Sequence, residues 1–394
     1  MRIFFITSRF PFPLEKGDKL RAYELIRHLS KEHEIYLFAL NEGPVENSWE
    51  EELRPYCTEI HYFSLSKGQR LKGLIRSAWN GRPFSTEYFY DPLIKRKVDE
   101  LLNRLQVDLI LCHLIRAVEY VRHRKEVKVL DYMDVFSKGM ARRAEVESGF
   151  MRMAVKQEYR RLLRYEKAVF EDFDGHSIIS SQDRDLIPHP KNKEIYVLPN
   201  GVNMEFYSPK QDVKHFDLLF AGNMAYPPNV QAVKFLIEEI MPLVWELRPE
   251  TNLCIAGADP APSIRKHASE LVEVTGWVDD IRNCFWESKV MVAPMQISIG
   301  LQNKILQGMA MEMPCLVSDM ANNAVGGKHG VHLMEARSAE EYAAYIIQML
   351  DDDKLSSDLG KNARKFISEK YNWDRLVKTF SLDLLEPLPA SGDH

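Results

Sequence analysis

The constraint that most narrows the fold of this chain is a rhythm. Residues 2–7, Arg-Ile-Phe-Phe-Ile-Thr, form a short apolar run that ends in the turn-rich Pro-Phe-Pro-Leu-Glu-Lys-Gly-Asp. A helical pattern follows over about 19–33, with Leu20, Tyr23, Leu25, Ile26 and Leu29 at its apolar positions. Further runs at 35–39, 59–63, 109–112, 127–130, 177–180 and 195–198 alternate with helical stretches such as 92–105, 116–124 and 150–170. The rhythm then restarts: runs at 216–220, 253–256, 271–275, 290–293 and 314–318 alternate with helical stretches near 227–247, 261–269, 281–287, 301–311 and 338–350. Strand and helix in alternation predict a parallel sheet covered by helices on both faces. Two such series predict an α/β chain of two doubly wound, Rossmann-like domains, 1–200 and 201–370, with a hinge near 199–209. Ligands of such sheets bind at the carboxyl ends of the strands, which places the expected site in a cleft between the domains.

Length agrees with this reading, since 394 residues exceed one ordinary core and suit two. Hydrophobic residues make up 45% and charged residues 28%, the balance of a soluble globular protein and not of a disordered one. The net charge of −5 is unevenly spread: residues 1–200 hold 34 Lys and Arg against 30 Asp and Glu, and residues 201–394 hold 18 against 27. The first half is therefore the one expected to meet an anionic surface or acceptor. Within it, 67–82 carries five basic residues and no acid, interleaved with Leu71, Leu74, Ile75 and Trp79. Such a segment can touch an anionic membrane peripherally, or it can pack as a helix with a solvated basic face. Nucleic acid is not an expected partner, because the chain is acidic overall and no recognised binding module is present.

The amino terminus has only four apolar residues before polar ones return, so it reads as a buried strand and not as a signal peptide. No run approaches the ~18 apolar residues of a membrane span. Cys57, Cys112, Cys254, Cys284 and Cys315 are scattered without a Cys-x-x-Cys pair, which predicts free thiols in a reducing, cytoplasmic compartment.

The segment 294–314, PMQISIGLQNKILQGMAMEMP, takes a short apolar run through Gly300 directly into a helix. A helix start presents unpaired N–H groups and partial positive charge, so Gly300, Leu301, Gln302 and Asn303 form a candidate phosphate site. Lys304, one turn on, can add a full charge to a diphosphate that approaches there. In the first half, Gly17 and Arg21 stand in or beside a glycine loop after the first strand, near Lys16 and Lys19. Asp18 can equally be a simple helix cap. His113 ends an apolar run and therefore sits at a strand's carboxyl edge, where an imidazole can orient an acceptor or merely serve structure. Arg116 and Asp134 are candidates for acceptor or interdomain contacts. Gly222 and Asn223 end a strand in Phe-Ala-Gly-Asn-Met, and Gly276, Trp277 and Val278 end another.

Taken in order, Leu-Pro-Asn-Gly-Val-Asn at 198–203, Phe-Ala-Gly-Asn-Met at 220–224, Val-Thr-Gly-Trp-Val-Asp-Asp at 274–280 and the 294–314 segment resemble the retaining glycosyltransferases of family 4, which have the GT-B fold. The resemblance covers nearly the whole chain. It implies a nucleotide-diphosphate sugar as donor and a glycan or lipid-linked acceptor, with no metal and no cofactor. It also implies a histidine such as His113 near the reacting sugar, base recognition by the strand end at Trp277 and Val278, and a last helix, from about 371, that crosses back to the first domain. In the family's mechanism the acceptor attacks on the face from which the leaving group departs, and a diphosphate oxygen takes its proton. The chain departs from the pattern where two glutamates are usual, reading Ile299 and Gln307; the amide of Gln307 can still accept from a ribose hydroxyl. Glu312 replaces a glycine, Gly308 stands where alanine is common, and Tyr226-Pro-Pro-Asn229 stands where relatives place an arginine and a lysine. Lys304 and Arg282 would then carry the diphosphate. The other reading of these departures is a catalytically inactive GT-B module that binds or regulates a partner.

Overall fold

The structure, a computed structural model, describes every residue except Glu15, Ser298, Ile299 and 389–394, and all of Val146 but its side chain. The chain divides into two compact units, Met1–Pro199 with the chain from Leu376 onward, and Asn200–Arg375.

The first unit is built on seven parallel strands: β1 (Arg2–Thr7), β2 (Glu34–Asn41), β3 (Glu59–Ser64), β4 (Leu109–His113), β5 (Val127–Asp131), β6 (Gly175–Ile178) and β7 (Tyr196–Val197), in the order β3-β2-β1-β4-β5-β6-β7. Helices cover both faces, which is why β1 and β4 are almost uninterrupted apolar runs. Ile3 pairs in register with Ile35 and Leu109, and Thr7 with Ala39 and His113. His113 pairs with Asp131, and Asp131 with Ser177. The register thus aligns Thr7, His113, Asp131 and Ser177 as one row across the carboxyl ends, beside the point where strand order reverses between β1 and β4.

The second unit repeats the plan with β8 (Phe216–Ala221), β9 (Leu253–Ala256), β10 (Val272–Gly276), β11 (Ser288–Ala293), β12 (Cys315–Ser318) and β13 (Met334–Ala336), ordered β10-β9-β8-β11-β12-β13 and all parallel. The expected α/β class, two doubly wound sheets, is what the chain forms.

Local differences have local causes. The first helix spans Gly17–Leu29, so Gly17 and Asp18 lie in its opening turn and not in a preceding loop; Asp18 pairs with Arg9 at 2.8 Å and does not cap. The 261–269 stretch yields only the single turn Pro262–Arg265, and 115–120 is a 3-10 turn. Strand β13 has three residues, too few to show a period of two. After the Asn303–Ala310 helix, Glu312 adopts φ +59, the left-handed conformation that explains why glycine is the usual residue there. Gly308 is also explained: a Cβ would stand 2.7 Å from Met291 Sδ, so the helix lies too close to β11 for alanine without repacking. Trp373 packs on Gly201, and the Trp373–Phe380 helix carries the chain into the first unit, where Leu384 and Leu388 meet Gly175.

Candidate functional site

In the second unit, β8 and β9 each run directly into a glycine. Gly222 has φ +155 and Gly257 φ +142, and a Cβ on Gly257 would fall 1.7 Å from the Gly222 carbonyl oxygen. Only a glycine at 257 lets these two strand ends lie against each other. A Cβ on Gly222 would stand 2.8 Å from Asn229 Nδ2 and 3.5 Å from Lys304 Nζ, so the amine sits beside this glycine floor.

Lys304 is the second residue of the Asn303–Ala310 helix and is buried. Its Nζ donates to Asn229 Oδ1 at 2.6 Å and lies 4.3 Å from the centroid of the Phe220 ring. Asn229 is held in turn, donating from Nδ2 to the Asn223 carbonyl at 2.9 Å. Among the described residues no carboxylate comes within ion-pair distance of the amine, and burial lowers its pKa to about 7. A buried ammonium with only an amide oxygen and a ring face is poorly compensated. The chemistry of the pocket therefore favours an incoming anion. The helix adds to this preference, because Gln302 at its start makes no side-chain cap and the terminal amides carry partial positive charge. Gly300 takes φ +75 in open space, a position kept for its backbone conformation. Leu301 and Asn303 flank the start half-buried. Gln307, one turn on, donates from Nε2 to the Tyr207 hydroxyl at 2.9 Å, and its amide oxygen has no protein donor among the described residues. Ile299 lies outside the described residues.

Trp277 is 70% exposed past Gly276, which has φ +72. With Val278 it lines a recess of about 540 Å³ rimmed by Glu273, Asp279, Asp280 and Glu287. Asn223 is exposed and its Oδ1 accepts from the amide of Ala225, a turn role. Arg282 is engaged by Asp280, with nitrogen–oxygen distances of 2.6–3.0 Å, and stacks on Phe206.

In the first unit the row of strand ends is a charged network. Arg21, fully buried, donates from Nε and Nη2 to Asp131 at 2.8 and 2.9 Å and from Nη1 to the Leu198 carbonyl at 2.9 Å. Ser177 also donates to Asp131, at 2.8 Å. Burial works against the Asp131 carboxylate, but Arg21 and His113 more than offset it and hold its pKa well below the usual range. His113 Nδ1 lies 2.9 Å from Asp131 Oδ2, and Nε2 lies 3.1 Å from the Asp18 carbonyl. Both partners are acceptors, so both contacts are hydrogen bonds only when each nitrogen carries a proton. While they hold, neither nitrogen is free for a sugar. The guanidinium of Arg21 is likewise engaged inside its own unit, and Gly17 contributes the first residue of the helix above it.

Arg116 differs. Its guanidinium carbon lies 5.3 Å from the Phe89 ring centroid and 4.6 Å from that of Phe136, and its Nε has no hydrogen-bond partner among the described residues. Burial, with Arg9 nearby, lowers its pKa to about 10. Asp134 is exposed and accepts from the Val135 amide, a local turn.

Lys304, Gly222 and Asn223 are thus joined through Asn229, and Arg21 and His113 through Asp131. Sequence reading missed Asn229, Gly257, Tyr207 and Asp131. Gly257 had a signal, because Ile-Ala-Gly at 255–257 ends a strand just as Phe-Ala-Gly does at 220–222. The others depend on contacts between residues distant in sequence.

Among the described residues, Glu32, His33 and Glu386 form the one cluster with metal-ligand spacing. It lies at the amino end of β2, away from the strand carboxyl ends, and His33 already contacts the terminal amine and Ser381. Among the same residues, no helix is long and apolar enough to cross a membrane.

Residues 215–352 match the family described as glycosyl transferases group 1. Over 394 aligned positions the chain is 21% identical to an uncharacterised 44.6 kDa protein in the cps region of Klebsiella pneumoniae, covering 94% of this chain and 96% of the relative. Among solved structures it is similar to sucrose-phosphate synthase from Thermosynechococcus elongatus, with a TM-score of 0.67, 15% identity and 97% of both chains covered. Anabaena HepE in complex with UDP-glucose superposes with a TM-score of 0.68 at 13% identity, covering 98% of this chain and 100% of that one. At such identities the likeness is one of fold, and that fold is GT-B.

Proposed function

We propose that this GT-B chain is a glycosyltransferase that takes a sugar from a nucleotide-diphosphate donor and passes it to a glycan or lipid-linked acceptor with retention. The observation that carries the reading is Lys304: a buried amine, lacking a carboxylate partner among the described residues, set beside a two-glycine floor at the start of a helix. A diphosphate placed there receives a full charge and a fixed dipole, both preorganised for the charge that develops as the bond to the sugar breaks. Gln307 offers its free amide oxygen to a ribose hydroxyl, and Asn229 orients the lysine. Retention is drawn from the family resemblance, in which a donor phosphate oxygen takes the acceptor proton and no strong protein base is needed. On the acceptor side Arg116, between two phenyl faces, suits an anionic or ring-bearing group. His113 acts as a positioning residue through Asp18 and Asp131. The acceptor class proposed is a bacterial surface polysaccharide or glycolipid precursor, in keeping with the relative from a cps region.

The test is a thermal-stability panel of nucleotide-diphosphate sugars, followed by mass spectrometry for transfer. A donor at a hundred times its Kd should add about 2.7 kcal/mol of stability. No stabilisation by any donor would remove the reading. Stabilisation without transfer to any acceptor would favour the inactive binding module, for which the neutral Gln307, tied to Tyr207, is the favouring observation.

A further inference from the structure

We propose that the face formed by the Lys67–Asn80 and Gly149–Phe170 helices of the first unit docks on a bilayer carrying anionic phosphate headgroups; it rests on observations independent of the donor site. The Lys67–Asn80 helix is packed the wrong way round for a helix on a soluble core. Its inner face is small: a Cβ on Gly73 would fall 2.1 Å from the Glu87 carbonyl oxygen, and buried Ser77 donates to the Arg82 carbonyl and accepts from Arg161. Its large apolar side chains point outward instead. Leu71, Ile75 and Trp79 are 59%, 55% and 88% exposed and, four residues apart, form one stripe. Phe150 and Met153, 79% and 63% exposed, add apolar surface at the start of the second helix.

The charge lies elsewhere than the sequence indicates. Within the acid-free segment 67–82, Arg76 and Arg82 pair with Glu87, Arg82 also with Glu119, and Arg70 with Glu42. Only Lys67 and Lys72 of that segment lack an acidic partner among the described residues. The uncompensated charge is on the Gly149–Phe170 helix, whose two acids turn inward. Glu158 accepts from the Phe84 and Ser85 amides, and Glu166 from that of Ser137. Outward stand Lys156, Arg160 and Arg164, none with an acidic partner among the described residues. With Met153, and with Gly81 just past Trp79, they line a recess of about 600 Å³.

An exposed apolar stripe beside unpaired cations matches an anionic bilayer, where the rings and aliphatic chains enter the headgroup boundary and the cations meet phosphates. A soluble anionic glycan would use the cations and leave the stripe in water. A second copy would bring the same charges against one another. Near an anionic surface each basic residue contributes roughly a factor of five in binding.

The experiment measures partition of the full chain onto phosphatidylcholine vesicles with and without phosphatidylglycerol, at low and high salt. Wild type should bind the anionic vesicles selectively. The triple variant Lys156→Gln/Arg160→Gln/Arg164→Gln should bind them on the order of a hundredfold more weakly, and Ile75→Ser/Trp79→Ser should lose the fraction that survives high salt. All five side chains are solvent-facing, and unchanged thermal melting confirms folding. Equal binding to neutral and anionic vesicles overturns the proposal. So does vesicle binding indifferent to Trp79 and Ile75 while soluble polyanion binding falls in the charge variant, which would mark an anion pocket for a soluble ligand. Light scattering that shows a dimer dissociated by Ile75→Ser/Trp79→Ser also overturns it and assigns the face to a second copy.

Discussion

Lys304 allows a test in which the protein's own electrostatics predict a slope. An exposed lysine titrates near 10.4; buried here beside Asn229 and Phe220, Lys304 titrates at about 7. The unfolded chain therefore holds a proton between pH 7 and about 10 that the ligand-free folded protein releases, so stability rises with pH across that window. From pH 7 to pH 9 the protonated fraction falls from one half to about one hundredth, a gain of about 2 kcal/mol. A bound nucleotide-diphosphate sugar, whose phosphates keep a fixed charge over this range, restores the ammonium. Donor binding should then take up a proton, and affinity should fall about 50-fold from pH 7 to pH 9. Isothermal titration calorimetry at both pH values, in buffers of different ionisation enthalpy, reads the affinity and the proton uptake together. Urea unfolding of wild type and Lys304→Met reads the stability side: wild type should gain about 2 kcal/mol relative to the variant between pH 7 and pH 9. Donor binding with no proton uptake at pH 8, or equal pH slopes for the two proteins, would refute the placement of a diphosphate against this amine.

Three further outcomes are expected. Asp131→Ala strands the fully buried Arg21 guanidinium without its carboxylate, so urea unfolding should show a loss of roughly 3–5 kcal/mol. Glu166 is raised to about 7 by burial; a carboxyl raised in the folded state gives stability that is complete below about pH 4 and lost as pH rises through 7. Glu166→Gln should accordingly remove a decline of about 3 kcal/mol between pH 4.5 and pH 8, measured by denaturant titration across pH. Glu312→Gly relieves a left-handed backbone at φ +59 and should stabilise the protein by about 1 kcal/mol, visible as a raised melting temperature.

Much of the architecture was legible because it is written in short-range periodicity. Buried parallel strands must be continuous apolar runs and their covering helices must be amphipathic, so β1, β2, β4, β8, β9 and β11 and the long Gly149–Phe170 helix could be read within a few residues of their bounds. Elements without room for a period, such as β13 and the 3-10 turn Ile115–Tyr120, could not. The glycines and Lys304 of the second unit were also visible, since a glycine at a strand end and a cation at a helix start have meaning one residue at a time. Their state was not. Lys304 looks like any helix lysine until Asn229, 75 positions away, and Phe220 enclose it. His113 looks like a free imidazole until Asp131 and Asp18 take both nitrogens. The arginines of 67–82 look like uncompensated charge until Glu87, Glu119 and Glu42 meet them. By itself the sequence determined which of the longer segments are strands and helices, that they wind into two α/β sheets, and which residues of those strands fall at their ends. Only the tertiary structure decided which of those residues are buried, paired or free, because burial and partnership depend on contacts between distant segments that no local pattern encodes.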